Sequence, residues 1–140
     1  MSGAGAVLMG VGKLANKLSR YTVEKEKALQ TALVRGGNMI AASAKKEILR
    51  GVHSGKKYGR HTASAPGESP ANDLGNLARN IRVLRDNGVV WVMSGAKYSA
   101  ALEFGTETIK PRPFMGPAVL ANKELIRLMI RKAKELAAHQ

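Results

Sequence analysis

Cysteine is absent from this 140-residue chain, which removes disulfides, iron–sulfur clusters and thiol nucleophiles together. That absence fits synthesis in a reducing compartment, the cytoplasm. No long hydrophobic run is present either. The apolar start, Met1 to Val11, lacks a basic segment ahead of it and is far shorter than the ~20 residues that span a bilayer, so it reads as neither secretion signal nor anchor. Residues 1–20 are expected to form a flexible, glycine-rich, partly helical arm leading into the first helix. Acidic residues are few: 10 Asp and Glu stand against 23 Lys and Arg, a formal charge of +13.

What remains is ordinary globular material. Hydrophobic residues make up 44% and charged residues 24%, which excludes wholesale disorder, and the length suits a single domain, expected over residues 21–140. A body this small stores considerable self-repulsion at +13, which an acidic partner relieves. Nucleic acid, an anionic membrane surface and an acidic protein face all qualify. A basic surface kept for solubility is the plain alternative, and charge alone does not choose.

Reactive constellations are missing. His53, His61 and His139 lack metal-ligand spacing and have no cysteines to complete a set. Glu68, Asp73, Glu103 and Glu107 are scattered through loops as caps and surface charges, without the pairing of an acid–base couple or a magnesium-binding cluster. Gly51 to Lys57 resembles a phosphate-binding loop only superficially, because Lys57 stands where Ser or Thr is needed and a helix, not a strand, precedes it. No enzyme activity, cofactor or metal is expected.

Between Thr22 and Arg50, Leu29, Leu33, Ile40, Ala44 and Ile48 recur at helical steps with Lys25, Lys27, Arg35, Lys45 and Lys46 between them. This predicts a long amphipathic helix with Thr22 as N-cap and Gly51 as its stop. Gly36-Gly37 in its middle implies a kink or a close crossing by another element. Residues 51–73 read as a long basic loop, where Tyr58 between Lys56, Lys57 and Arg60 serves either as a stacking platform or as a packing anchor.

Ile81 to Arg85 and Val89 to Met93, separated by Asp86-Asn87-Gly88, predict a β-hairpin lying under the long helix. In its second strand Val89, Trp91 and Met93 share one face and Val90 and Val92 the other, and both faces are expected to be covered. Tyr98 to Phe104 predicts two helical turns that pack Tyr98 on Leu102 and stop at Gly105. A rigid turn at Pro111-Arg112-Pro113 leads into a final helix with Pro117 in its first turn, running to about Ala138. Within it Leu125, Leu128, Met129, Lys132 and Leu136 fall near one side, while Lys123, Arg127, Arg131 and Lys134 form a basic stripe. The architecture expected is α+β: a long N-terminal helix and a C-terminal helix packed on a small antiparallel sheet containing the hairpin. A further strand is expected from Gly95-Ala96 onward or after Gly105.

Two tracts are specific. One runs from Ala63 through Ser64-Ala65-Pro66-Gly67-Glu68-Ser69-Pro70 to Asp73-Leu74-Gly75-Asn76-Leu77. The other comprises Tyr98, Leu102-Glu103-Phe104-Gly105-Thr106 and Pro111-Arg112-Pro113-Phe114-Met115-Gly116-Pro117-Ala118. In this order they resemble the HK97 gp10-like family of tailed-phage and prophage proteins: tail-component, tail-completion or head–tail joining proteins. Ser69, Leu74 and Gly116 depart from the family's usual proline, threonine and longer residue.

The resemblance implies a virion protein that oligomerises at the neck or head-proximal end of the tail, as a cyclic homo-oligomer such as a hexameric ring. Other neck and tail proteins would be its partners, with no membrane and only non-specific contact with channel DNA. Lys56, Lys57, Tyr58, Arg60, Lys123, Arg127, Arg131 and Lys134 are the candidate contacts, protein partners being favoured over DNA. Pro66-Gly67 and Pro70 stiffen a loop suited to docking on another subunit, and Asp73 caps the turn entering Gly75 to Leu77. Phe104 and Phe114 are expected to be core anchors, with Tyr98, Leu102, Glu103, Gly105, Arg112 and Pro113 framing them. A basic DNA-binding protein, nucleoid-like or regulatory, is the alternative.

Overall fold

The computed structural model describes residues 2–50, 53–70 and 76–138. Helix α1 spans Ser2–Arg50, roughly 73 Å at 1.5 Å per residue. The segment read as an arm is therefore helical from Ser2 onward, and Thr22 is an interior residue, not an N-cap. Gly51 and the Asp73 and Gly75 positions lie outside the described residues.

The packed stripe of α1 is built from small side chains. Ala32, Gly36, Gly37, Ala41, Ala44 and Ile48 follow one another at steps of four, one, four, three and four, and all are buried. The helix continues unbroken through Gly36-Gly37, so close crossing, not a kink, explains the pair. A Cβ on Gly36 would lie 3.1 Å from Ile126 Cγ2, and one on Gly37 would lie 3.0 and 3.1 Å from Val90 Cγ1 and Val83 Cγ1. Two elements thus close on α1 from adjacent sides.

One is the hairpin of β3 (Ile81–Asp86) and β4 (Val89–Ser94), paired antiparallel from Ile81↔Ser94 to Asp86↔Val89. Its two-residue turn needs positive φ at both positions, and Asn87 (49°) and Gly88 (82°) supply it. The other is α4, Met115–Ala138, which packs along α1. Between them, α2 (Asn76–Arg79) contributes Leu77 and Ala78, and α3 is Ser99–Phe104. The core joins Ala41, Ala44, Ile48, Leu77, Ala78, Ile81, Phe114 and Ala118, with half-buried Ile40, Val83, Val92 and Leu102 against it. Asn122 Nδ2 donates to Ser43 Oγ at 2.8 Å and to the Ala118 carbonyl, a polar link inside the α1–α4 seam.

The α+β expectation of two helices on a small antiparallel sheet holds, with four corrections. Residues 51–73 are not structure-poor throughout: β1 (Lys57–Tyr58) and β2 (His61–Thr62) form a small hairpin, extended by Gly55 N–H to Ala63 O (2.8 Å) and Ala63 N–H to Lys56 O (2.9 Å). Among the described residues no strand occurs after Gly95 or after Gly105, and β3–β4 stays two-stranded. Among the described residues only one hairpin face is covered. Val83, Val90 and Val92 meet α1, whereas Leu84, Val89, Trp91 and Met93 are 44–57% exposed. Finally, α4 turns inward Ala118, Asn122, Ile126 and Ala133, leaving Leu125 and Leu128 exposed, because the close seam with α1 accepts alanine and asparagine where leucine would hold the helices apart.

Candidate functional site: a motif latch and two basic surfaces

The two motif tracts, far apart in sequence, are hydrogen-bonded to each other. Gly67 N–H donates to the Pro111 carbonyl at 3.0 Å, and Arg112 Nε donates to the Ser64 carbonyl at 3.2 Å. Gly67 holds φ +87°, a left-handed conformation that glycine adopts freely, while Pro66 and Gly67 remain exposed. Arg112 N–H also donates to Leu102 O at 2.6 Å, tying the turn back to α3.

Two carboxylates lock the ends of this arrangement. Glu103 accepts from three consecutive amides at the start of α4: Phe114 (2.8 Å), Met115 (2.9 Å) and Gly116 (2.8 Å). A helix leaves its first amides without intrahelical partners, and an anion there also meets the positive end of the helix dipole. Glu68 accepts from the amides of Ser54 (2.8 Å) and Ala65 (2.8 Å) and from the Ser54 hydroxyl. The Ser54 hydroxyl bond, then the two amides and the nearby His53, hold its pKa down at about 2 from an ordinary 4.5, against a small opposing effect of burial.

At the corner between them Gly105 ends α3. Its φ of +77° with ψ 173° is glycine territory, its amide donates to Ala101 O, and a Cβ there would lie 2.8 Å from Pro111 Cδ. Thr106 fastens the following loop by accepting from the amides of Thr108 (3.3 Å) and Ile109 (3.0 Å) through Oγ1.

The expected anchors divide. Phe114 is 2% exposed in the core and Leu77 4%. Phe104 is 79% exposed, so the expectation that both phenylalanines anchor the core is corrected. Glu103 must face α4 to cap it, and the next position of a helix is turned about 100° away. Tyr98 precedes α3 and is also exposed, Leu102 is half-buried, and Pro113 leads half-buried into Phe114.

The candidate contact residues fall on two elements. Lys56, Lys57 and Arg60 are exposed on the β1–β2 hairpin, whose turn places Gly59 at φ +63° beside Arg60. The Tyr58 side chain lies outside the described set. Lys123, Arg127, Arg131 and Lys134 are all exposed on α4, on the side away from its packed face, and Arg127 pairs with Glu124 at 3.2 Å. Pairs this exposed contribute little to stability. Among the described residues no group of His, Asp and Glu could hold a metal, and no helix is long and apolar enough to cross a membrane.

The specific residues of this chain thus build an α+β fold in which a hydrogen-bonded latch joins the two motif tracts. The family model described as "Bacteriophage HK97-gp10, putative tail-component" matches residues 12–105, about two thirds of the sequence, and the chain belongs to that family. No curated protein and no solved structure matches it. The family gives the chain a structural role among phage tail components. Sequence reasoning identified the latch residues, but not their pairing: Glu103 with the α4 amides and Glu68 with Ser54 are visible only once the chain is folded.

Proposed function

We propose that this protein is a structural part of the virion of a tailed phage or prophage, acting in head–tail joining or tail completion by oligomerising at the neck or head-proximal end of the tail. Family membership over residues 12–105 is the observation that carries this reading. The latch supports it, since a connector must present fixed surfaces, and rigid loops lose less entropy on docking. The basic hairpin and the α4 stripe then face neighbouring subunits or other neck and tail proteins, with channel DNA as an incidental contact. The part is non-enzymatic and is delivered to the particle from the host cytoplasm.

The test is electron microscopy and mass photometry of the purified protein, alone and with its neighbouring tail proteins. Rings, or incorporation into tails or necks, are expected. Strict monomers that join no particle overturn the proposal. The formal +13 favours one alternative, a basic DNA-binding protein. Tight binding to free duplex at physiological salt, without any assembly, selects it.

A further inference from the structure

The outer face of the β3–β4 hairpin carries a charge and apolar pattern that complements itself. Alternation along the strands points Arg82, Leu84 and Asp86 of β3, and Val89, Trp91 and Met93 of β4, away from α1. Cross-strand pairing sets them as Arg82↔Met93, Leu84↔Trp91 and Asp86↔Val89. Leu84 is 46%, Val89 49%, Trp91 57% and Met93 44% exposed, and Arg82 and Asp86 are exposed as well. Single exposed apolar residues are unremarkable, but four contiguous ones on one six-position sheet face, including the only tryptophan of the chain, mark a contact.

We propose that this face pairs with the same face of a second copy, the two hairpins stacked with their strands antiparallel about a twofold axis running across the strands. That axis passes through the Leu84–Trp91 row, sets Trp91 on Trp91 and Leu84 on Leu84, and brings Arg82 of each copy against Asp86 of the other. The positive end, apolar middle and negative end of the face are thereby matched twice. Duplex DNA offers no counterpart to the apolar middle, and neither DNA nor an anionic membrane surface offers a cation for Asp86. The inference rests on the assembly reading, of which it names one contact. That contact closes on itself after two copies, so it is separate from the head-to-tail contacts that close a ring.

The face is small. Two six-residue strands cover roughly 20 by 10 Å, well below the ~800 Å² per partner of a stable interface, so pairing is weak and concentration-dependent, with Kd on the order of tens to hundreds of micromolar. Sedimentation velocity of the full chain, followed from low to high micromolar at about 0.3 M salt to screen the net charge, reads it directly. The mass is expected to rise from one copy to two while Trp91 emission moves to shorter wavelength.

Leu84→Asp should abolish both changes. Arg82→Asp and Asp86→Arg should each weaken pairing about three- to tenfold, because each sets like charges opposite, and the double exchange should return it to within about threefold of the parent. A monomer at every concentration, a dimer with unshifted Trp91 emission, or a double exchange no better than the singles overturns the proposal. So does a monomer whose emission shifts only with duplex DNA or with phosphatidylglycerol vesicles, which would assign the face to those. If these variants pair normally while the protein enters particles, the contact falls and the assembly reading stands. A dimer with the expected variant pattern that joins no particle keeps the contact and removes the particle reading.

Discussion

At the scale of single residues, identity says less than the direction a side chain is turned. Phe104 and Phe114 are both phenylalanines beside turn residues, yet one is 79% exposed and the other 2%. Truncating Phe114 to alanine should cost about 3–5 kcal/mol in chemical denaturation, and Phe104→Ala should stay within about 0.5 kcal/mol. The sequence could not separate them, because the difference lies in the capping duty of the neighbouring Glu103. Glu68 gives a pH test. Its folded pKa is depressed to about 2 from 4.5, so the stability it contributes is present above pH 4.5 and is lost as pH falls from 4.5 towards 2. The amide signals of Ser54 and Ala65, followed by NMR in the folded protein, should hold their positions down to about pH 3 and move with a midpoint near 2. Glu68→Gln should flatten this response while leaving the core signals in place.

At the scale of elements, local chemistry made the hairpin legible and tertiary packing hid the rest. Asn87-Gly88 fixes the turn, and with it the register, from two residues alone. The Gly36-Gly37 pair signalled a close crossing, but not that α4 and the hairpin both use it. The inward face of α4 is not the side its leucine spacing marks, because a seam this close selects Ala118, Asn122 and Ala133. Long helix α1 hid its true start, since its glycine-rich opening lacks the pattern that marks a packed helix. The corner between α3 and α4 is the most constrained element boundary. Gly105→Ala combines a glycine-only conformation with a Cβ 2.8 Å from Pro111 Cδ and 2.9 Å from the Ile109 carbonyl. It should destabilise by about 2–4 kcal/mol, read as a lowered denaturation midpoint. At Gly37, Leu should cost at least about 2 kcal/mol because Val83 and Val90 are stiff at χ1, while alanine should come out near zero, its helix gain of about 1 kcal/mol offsetting the squeeze.

At the scale of the whole molecule, the net charge of +13 is dispersed, not gathered into one groove. Lys56, Lys57 and Arg60 ride on one hairpin, and Lys123, Arg127, Arg131 and Lys134 on one side of α4. That distribution sets how DNA would be held. If the α4 stripe alone engages phosphates, four cations give a slope of about −3.6 in log affinity against log salt, a loss of roughly 150-fold between 50 and 200 mM. Binding detectable at low salt should therefore be weak at physiological salt and indifferent to base sequence. Exchanging Lys123, Arg127, Arg131 and Lys134 for glutamine should bring the slope towards zero, whereas the same change at Lys56, Lys57 and Arg60 should leave it nearly unaltered. Fluorescence anisotropy of a labelled duplex over a salt series measures both. A slope steeper than about −6 would require about seven phosphate contacts, more than the α4 stripe supplies, and would make DNA the main partner of this protein instead of a passenger in the assembly.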